Sequence, residues 1–427
     1  MTTTSTLTST VTPSLMFLLD SPNIWRGQAL AGTPARVLAL AEHSHRAGAK
    51  VTLVLCDRGA DYGTEQHWPM DTVLVHPADF YTPPALVTVL GEPSVDFLLL
   101  CEAESLAARG RDLARRLGAR LVYDVHDDES AVAASLGEPA DVVEEYRTTQ
   151  RVALAGADHV IVSTRNEATL AASASVPAER TAMLPNGADP TQRTCWGPDP
   201  DAGTLVFLGN LFYEPNARAL ASIRSTILPA LHAAGTDVRV RVVGRGPAAL
   251  TRPAEGIEFT GRVDTIDEAL RGASLALAPL EAGSGAKMKV LDYLAAGLPV
   301  LGTSEAVTGL PLDHPGVLVD DDLHAWPSLI TTLLRDPGAL REVGQAGREC
   351  VERGLSWQQI GTDLLRNTHT WLAATSTTPP LGLVGGVSGP RWLAEHAGHN
   401  ALGDPDTTSP GHPRWLRESS PTASRKG

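Results

Sequence analysis

The sequence predicts an α/β protein built from two doubly wound, parallel-sheet domains that face a central cleft. Three observations predict it. Apolar strand-length runs alternate with helix-length segments in two successive series, a Pro/Gly/Asp-rich stretch near residues 190–203 separates the series, and 427 residues exceed what one hydrophobic core usually serves. Open parallel sheets bind ligands beyond the carboxyl ends of their strands, so two facing sheets place ligands between them.

Residues 1–14 are a Thr/Ser tract without a basic residue and are expected to be disordered; the apolar run that follows is too short for a signal or a membrane span. The first domain, residues 15–190, has expected strands over 15–19, 50–56, 97–100, 120–125 and 159–163. The second, residues 191–375, repeats the pattern with expected strands over 205–208, 238–243, 257–259, 275–278 and 300–302. Beyond Ala374 the periodicity ends in a Thr/Ser/Pro/Gly/His-rich tail, expected to be disordered over 376–427. Within it, Pro390-Arg-Trp-Leu-Ala-Glu395 is echoed by Pro413-Arg-Trp-Leu-Arg-Glu418. Copies centred on Trp392 and Trp415 read as short docking motifs for a partner protein, or as chance plus a weak tail helix.

The formal net charge of -14 disfavours nucleic acid and anionic lipid as principal partners, because both require a basic face. Residues 1–190 hold 24 acids against 14 Lys plus Arg, a net of -10. Cys56, Cys101, Cys195 and Cys350 lie too far apart for metal or redox spacing and read as reduced thiols, so a cytoplasmic location is expected.

The chemistry concentrates in one stretch, Pro279-Leu-Glu-Ala-Gly-Ser-Gly-Ala-Lys-Met-Lys-Val-Leu-Asp-Tyr-Leu-Ala-Ala-Gly-Leu-Pro-Val, which holds two of the chain's four lysines, Lys287 and Lys289. An apolar strand runs into Gly283-Ser284-Gly285 and then a helix over about 286–296, with Gly297 and Pro299 ending it. A helix start behind glycines presents free N–H groups and the positive end of the dipole, and two lysines add full charges, which fits a diphosphate. Asp292 lies about 10 Å further along the helix, placed to accept ribose hydroxyls. The plain alternative, a helix under a sheet with two solvated lysines, carries a small cost because cations oppose the dipole there.

Four segments taken together, Val206-Phe-Leu-Gly-Asn-Leu-Phe-Tyr-Glu-Pro-Asn216, Val242-Val-Gly-Arg-Gly-Pro247, Phe259-Thr-Gly-Arg-Val263 and Gly283-Ser-Gly-Ala-Lys-Met-Lys-Val-Leu-Asp292, closely resemble the retaining glycosyltransferases of family 4, the group 1 transferases. The resemblance covers roughly residues 15–370. It implies the GT-B fold of two Rossmann-like domains, a closing helix over 357–372 that crosses back, and an exit from the first domain at Pro185-Asn-Gly-Ala-Asp189. It also implies sugar transfer from a nucleoside diphosphate, UDP or GDP foremost, with anomeric retention and no tightly bound metal or cofactor.

By the same resemblance His126, in Leu121-Val-Tyr-Asp-Val-His-Asp-Asp-Glu129, is a cleft histidine that contacts the donor sugar or orients the acceptor. The family's two donor-loop glutamates, eight residues apart, correspond to Ser284 and Asp292. Relatives clamp the diphosphate with an Arg and a Lys after the first strand of the second domain, where this chain has Gly209-Asn210-Leu-Phe-Tyr. The clamp therefore falls to Lys287 and Lys289, with Arg245 auxiliary. The resemblance also implies that Arg262 and Val263 border the nucleotide base through backbone; Glu281 is expected either to reach sugar hydroxyls or to be a simple surface acid, and Gly27 and Gly32 either border the acceptor side or are loop filler.

Departure of a nucleoside diphosphate builds negative charge on the leaving oxygen, so a fixed cation there lowers the barrier; Lys287 is the first candidate. The acidic first domain points to a soluble acceptor, amine-bearing as in natural-product assembly, rather than a lipid-linked one. A nucleotide-sugar epimerase on the same fold, or a binding module without turnover, also fits these residues.

Overall fold

The structure, a computed structural model, describes residues 12–20, 32–57, 68–263, 265–283 and 287–374. Strands β1 (Ser14–Leu19), β2 (Lys50–Cys56), β3 (Asp71–Val75), β4 (Phe97–Leu100), β5 (Arg120–Val125), β6 (His159–Val162) and β7 (Thr181–Met183) form one sheet in the order β3-β2-β1-β4-β5-β6-β7. A second sheet holds β8 (Thr204–Leu208), β9 (Arg239–Val243), β10 (Ile257–Gly261), β11 (Leu275–Ala278), β12 (Val300–Gly302) and β13 (Val317–Val319) in the order β10-β9-β8-β11-β12-β13. The pairings are parallel: Leu15 lies opposite Val51 on one side and Phe97 on the other, and Val206 opposite Arg241 and Ala276. Central strands such as β4, β8 and β11 are buried along their whole length, because helices cover both faces of the sheet.

Ten of these strands match the expected positions to within about two residues. The three that sequence periodicity missed, β3, β7 and β13, are all sheet edges. Each turns a large apolar side chain outward, with Leu74 48%, Met183 47% and Val319 40% exposed, so none shows the closed apolar run of a central strand.

Winding reverses between β1 and β4 in the first sheet and between β8 and β11 in the second, which opens a crevice at the carboxyl edge of each. Five helices bear on the site: α1 (Gly32–Arg46), α2 (Glu214–Ser222), α3 (Met288–Ala295), α4 (Pro337–Gly354) and α5 (Trp357–Ala373). The last returns from the second domain to the first, where Trp357, Ile360, Leu364 and Trp371 join the core of Phe17, Leu40 and Phe97. The two chain crossings are tied together, since Ala188 N donates to Leu355 O at 2.9 Å and Trp357 N to Ala188 O at 3.0 Å.

The segment between the domains is fastened to the second one. Arg348 of α4 donates to Pro190 O at 2.7 Å and Arg193 O at 3.1 Å, Thr194 N donates to Asp267 Oδ1 at 2.7 Å, and Trp196 Nε1 donates to Asp267 O at 2.9 Å. Among the described residues no helix is long and apolar enough to cross a membrane. The tail motifs at Trp392 and Trp415 lie outside the described residues.

Where α5 ends on the first domain, the His159 ring stacks on Trp371 with centroids 4.3 Å apart and planes 14° apart, and His159 is 8% exposed. Burial, reinforced by Arg120 and Arg180 against the opposing charge of Asp158, pushes the imidazole down to about 4. The unfolded chain takes up this proton near pH 6.5 and the native chain does not, so stability falls as pH drops from 6.5 toward 4. Urea denaturation at pH 7 and pH 4.5 is expected to show a loss of about 2 kcal/mol attributable to this ring. That part of the loss disappears in His159→Phe; an unchanged pH dependence in the variant contradicts the assignment.

Candidate functional site

The site begins where β11 leaves the sheet. Gly283 has φ 132°, a backbone conformation that favours glycine, and a Cβ there would stand 3.3 Å from Lys287 Nζ. Ser284 and Gly285 lie outside the described residues. Helix α3 begins at Met288, with Lys287 as its N-cap residue; the Lys287 side chain makes no capping hydrogen bond, while Val290 N donates to Lys287 O at 2.9 Å. It ends as the sequence predicts, with Gly297 at φ 71° before Pro299.

The two lysines diverge. Lys287 Nζ pairs with Glu305 Oε1 at 2.7 Å; Glu305 sits in the short turn Ser304–Val307 after β12. Lys289 turns beneath the loop after β8, where its ammonium donates to Asn216 Oδ1 and lies 4.6 Å from the Phe207 ring centroid. Asn216, in α2, passes the connection on through Nδ2 to Asn210 O at 2.9 Å. Burial, with Lys287 nearby, pushes the Lys289 ammonium down to about 7. Lys289 thus sits behind the loop that lacks a basic residue of its own, linked to Asn210 O through Asn216.

That loop is stacked on its neighbours. Gly244, after β9, has φ 139°, and a Cβ on it would fall 2.0 Å from Gly209 O. Leu211 N donates to Arg245 O at 2.8 Å, and Gly244 N to Gly261 O at 2.9 Å, so the loops after β8, β9 and β10 form one layer. Asn210, Arg245 and Arg262 are exposed on this layer, and Val263 is half-buried against the core. Glu281 is exposed.

Asp292 is engaged from the interdomain segment. Its Oδ1 accepts Arg193 Nε at 3.1 Å and Nη2 at 2.8 Å, which leaves Oδ2 outside that fork.

Across the cleft, His126 follows β5 with both ring nitrogens engaged, Nε2 with Asp124 Oδ2 at 2.8 Å and Nδ1 with Thr33 Oγ1 at 3.1 Å. The carboxylate accepts from Nε2, so a neutral ring accepts the Thr33 hydroxyl at Nδ1. Asp124 is held in turn by Arg36, 1% exposed, through Nε at 3.0 Å to Oδ2 and Nη2 at 2.8 Å to Oδ1. The remaining donors of Arg36 reach Leu184 O, Pro185 O and Asn186 Oδ1 at 3.0, 3.2 and 2.9 Å. Burial would raise the Asp124 carboxyl, but Arg36 and His126 outweigh it and hold the group well below the usual carboxylate range.

The sheet end beside His126 is acidic. Burial first, then Asp20, pushes Glu102 up to about 7; burial, Glu104 and Asp127 push Glu129 up to about 8. Tyr213, in the loop after β8, is pushed up to about 12 by burial, then by Asp127 and Glu305. Tyr213 thus lies within electrostatic range of an acid from each domain. Gly32 is exposed with open space around it, and Gly27 lies outside the described residues. Among the described residues no group of three or more His, Cys, Asp or Glu is arranged to hold a metal ion.

Sequence reasoning missed Arg36, Thr33, Arg193, Asn216 and Glu305. Arg36 had a signal, a charge in register with Leu40 on the apolar face of α1. Arg193 and Glu305 had none, because their partners lie on other elements.

Residues 202–336 match the family model described as glycosyl transferases group 1, and residues 31–187 match the glycosyl transferase 4-like domain. No curated protein sequence matches the chain. Among solved structures, the chain is similar to sucrose-phosphate synthase from Thermosynechococcus elongatus, with TM-score 0.67 and 17% identity over 85% of this chain and 100% of that one. HepE of Anabaena, solved in complex with UDP and glucose, matches with TM-score 0.64 and 14% identity over 84% of this chain and 99% of that one. A glycosyltransferase from Rickettsia africae matches with TM-score 0.63 and 11% identity over 85% and 100%. At these identities the likeness is one of fold.

Proposed function

From the premise that the chain belongs to the group 1 glycosyltransferases and has their GT-B fold, we propose that it moves a sugar from a nucleoside diphosphate to a small soluble acceptor with retention of anomeric configuration. The observation that carries the reading is the start of α3, which has no side-chain cap, with the ammonium of Lys287 at its N-cap and that of Lys289 behind the loop after β8, on Asn216. Cations in both places serve the two phosphates of a leaving nucleoside diphosphate without a metal ion. HepE supports the donor class, since its structures hold UDP, UDP with glucose, or UDP-glucose. On the acceptor side, burial first and then neighbouring acids, Asp20 and Glu104 at Glu102 and Glu104 and Asp127 at Glu129, raise the proton affinity of Glu102 and Glu129, a crowding of acids that an amine-bearing acceptor would relieve. A cytoplasmic location accords with such substrates.

Calorimetric titration of the purified protein with UDP, GDP, ADP and dTDP tests the donor half. One nucleotide is expected to bind with micromolar affinity at pH 6.5. It binds several-fold more weakly at pH 8.5, because the Lys289 ammonium, pushed down to about 7, sheds its proton as pH rises through that value. Binding of none of the four at either pH overturns the reading.

A further inference from the structure

Glu305 reaches the donor loop from β12 and belongs to none of the motifs that mark that loop in the sequence. Its Oε1 pairs with Lys287 at 2.7 Å and lies 3.7 Å from where a Cβ on Gly283 would stand. Glu305 and Asp127 of the first domain both lie within electrostatic range of Tyr213. Glu305, paired with Lys287 and partly open, therefore borders the space between the cation that suits the diphosphate and the first domain. A donor sugar must occupy that interval if its diphosphate lies at α3 and its acceptor at the first domain.

The backbone that carries Glu305 is fixed on both sides. Thr303 Oγ1 donates to Leu280 O, and Ser304 donates to Asp321 through its amide and its hydroxyl, each at 2.7 Å. Oε1 is sealed from solvent while the side chain as a whole is 29% exposed, so the open part of the group lies away from Lys287. At the donor-loop position where related transferases carry a glutamate, this chain has Ser284.

We propose that Glu305 is a specificity-determining residue of the donor site, which holds Lys287 through Oε1 and accepts hydroxyls of the donor sugar through Oε2. It supplies from β12 the acid that the donor loop lacks at Ser284. The proposal rests on the glycosyltransferase reading above.

The test compares the wild type, Glu305→Gln and Glu305→Asp for binding of UDP, GDP, ADP and dTDP. For the nucleotide the wild type binds, it then compares the glucose, galactose, N-acetylglucosamine, mannose and rhamnose conjugates. In Glu305→Gln the free nucleotide is expected to bind about threefold more tightly, because a competitor for Lys287 is gone. The affinity added by the wild type's best sugar falls at least about tenfold, as for loss of hydrogen bonds to a charged acceptor, and Glu305→Asp restores part of it. These opposite directions separate a sugar contact from general damage, which weakens nucleotide and conjugate together. An unchanged sugar increment in Glu305→Gln, or equal loss for nucleotide and conjugate, overturns the proposal with the transferase reading intact. Failure of the wild type to bind any of the four nucleotides overturns both.

Discussion

Replacing Lys287 by alanine is expected to lower sugar release from the nucleotide-sugar donor by about 100-fold to 1,000-fold, while affinity for the free nucleotide changes by less than about tenfold. The asymmetry follows from where charge grows. In the proposed donor complex the ground-state diphosphate would already be ionised and shared among α3 amides and both lysines; in the transition state the leaving oxygen would gain new charge, and a fixed cation beside it is worth about 3–4 kcal/mol. Lys287 suits that task because it is the N-cap residue of α3 and Glu305 already orients its ammonium, so little reorganisation remains when the donor arrives. Steady-state release of nucleoside diphosphate, set beside calorimetric affinity, checks both halves. A rate within twofold of the wild type removes Lys287 from the leaving-group role, and an equal fall in affinity and rate reduces it to a binding contact.

The largest effect on stability is expected at Arg36. Arg36→Leu leaves the Asp124 carboxylate buried beside His126 without its guanidinium partner and frees acceptors at Leu184, Pro185 and Asn186. Breaking a buried pair from one side typically costs about 3–5 kcal/mol, so urea denaturation should shift by that order. Removing both charges, in Arg36→Leu with Asp124→Asn, is expected to recover part of the loss, because no ion then remains unpaired. Arg36 also fixes the exit of the first domain against the end of β5, so a variant that folds should still misplace His126. A shift below about 1 kcal/mol in Arg36→Leu contradicts the assigned role of the pair.

The arrangement of the cleft gives its two walls different electrostatic characters. On the second domain, cations and helix amides gather at α3 and the loop after β8; on the first, carboxylates gather at the ends of β1, β4 and β5. On the transferase reading proposed above, an anionic donor and a cationic or neutral acceptor would be drawn to opposite walls.

The sequence by itself determined the doubly wound pattern, the break between its two series, and the donor-loop helix with its lysines. Those features are local, since central parallel strands are continuous apolar runs and a glycine turn before a helix that Gly297 and Pro299 end is written in consecutive residues. It did not yield the edge strands β3, β7 and β13, whose outward apolar side chains interrupt the pattern. Only the tertiary structure decided which way each charge points. Lys287 and Lys289, two residues apart, separate toward β12 and β8; Asp292 meets Arg193 from 99 residues away, and Asp124 meets Arg36 across 88. Such pairings are set by which strands the fold makes neighbours at its carboxyl edge, a long-range result of packing that no local spacing encodes.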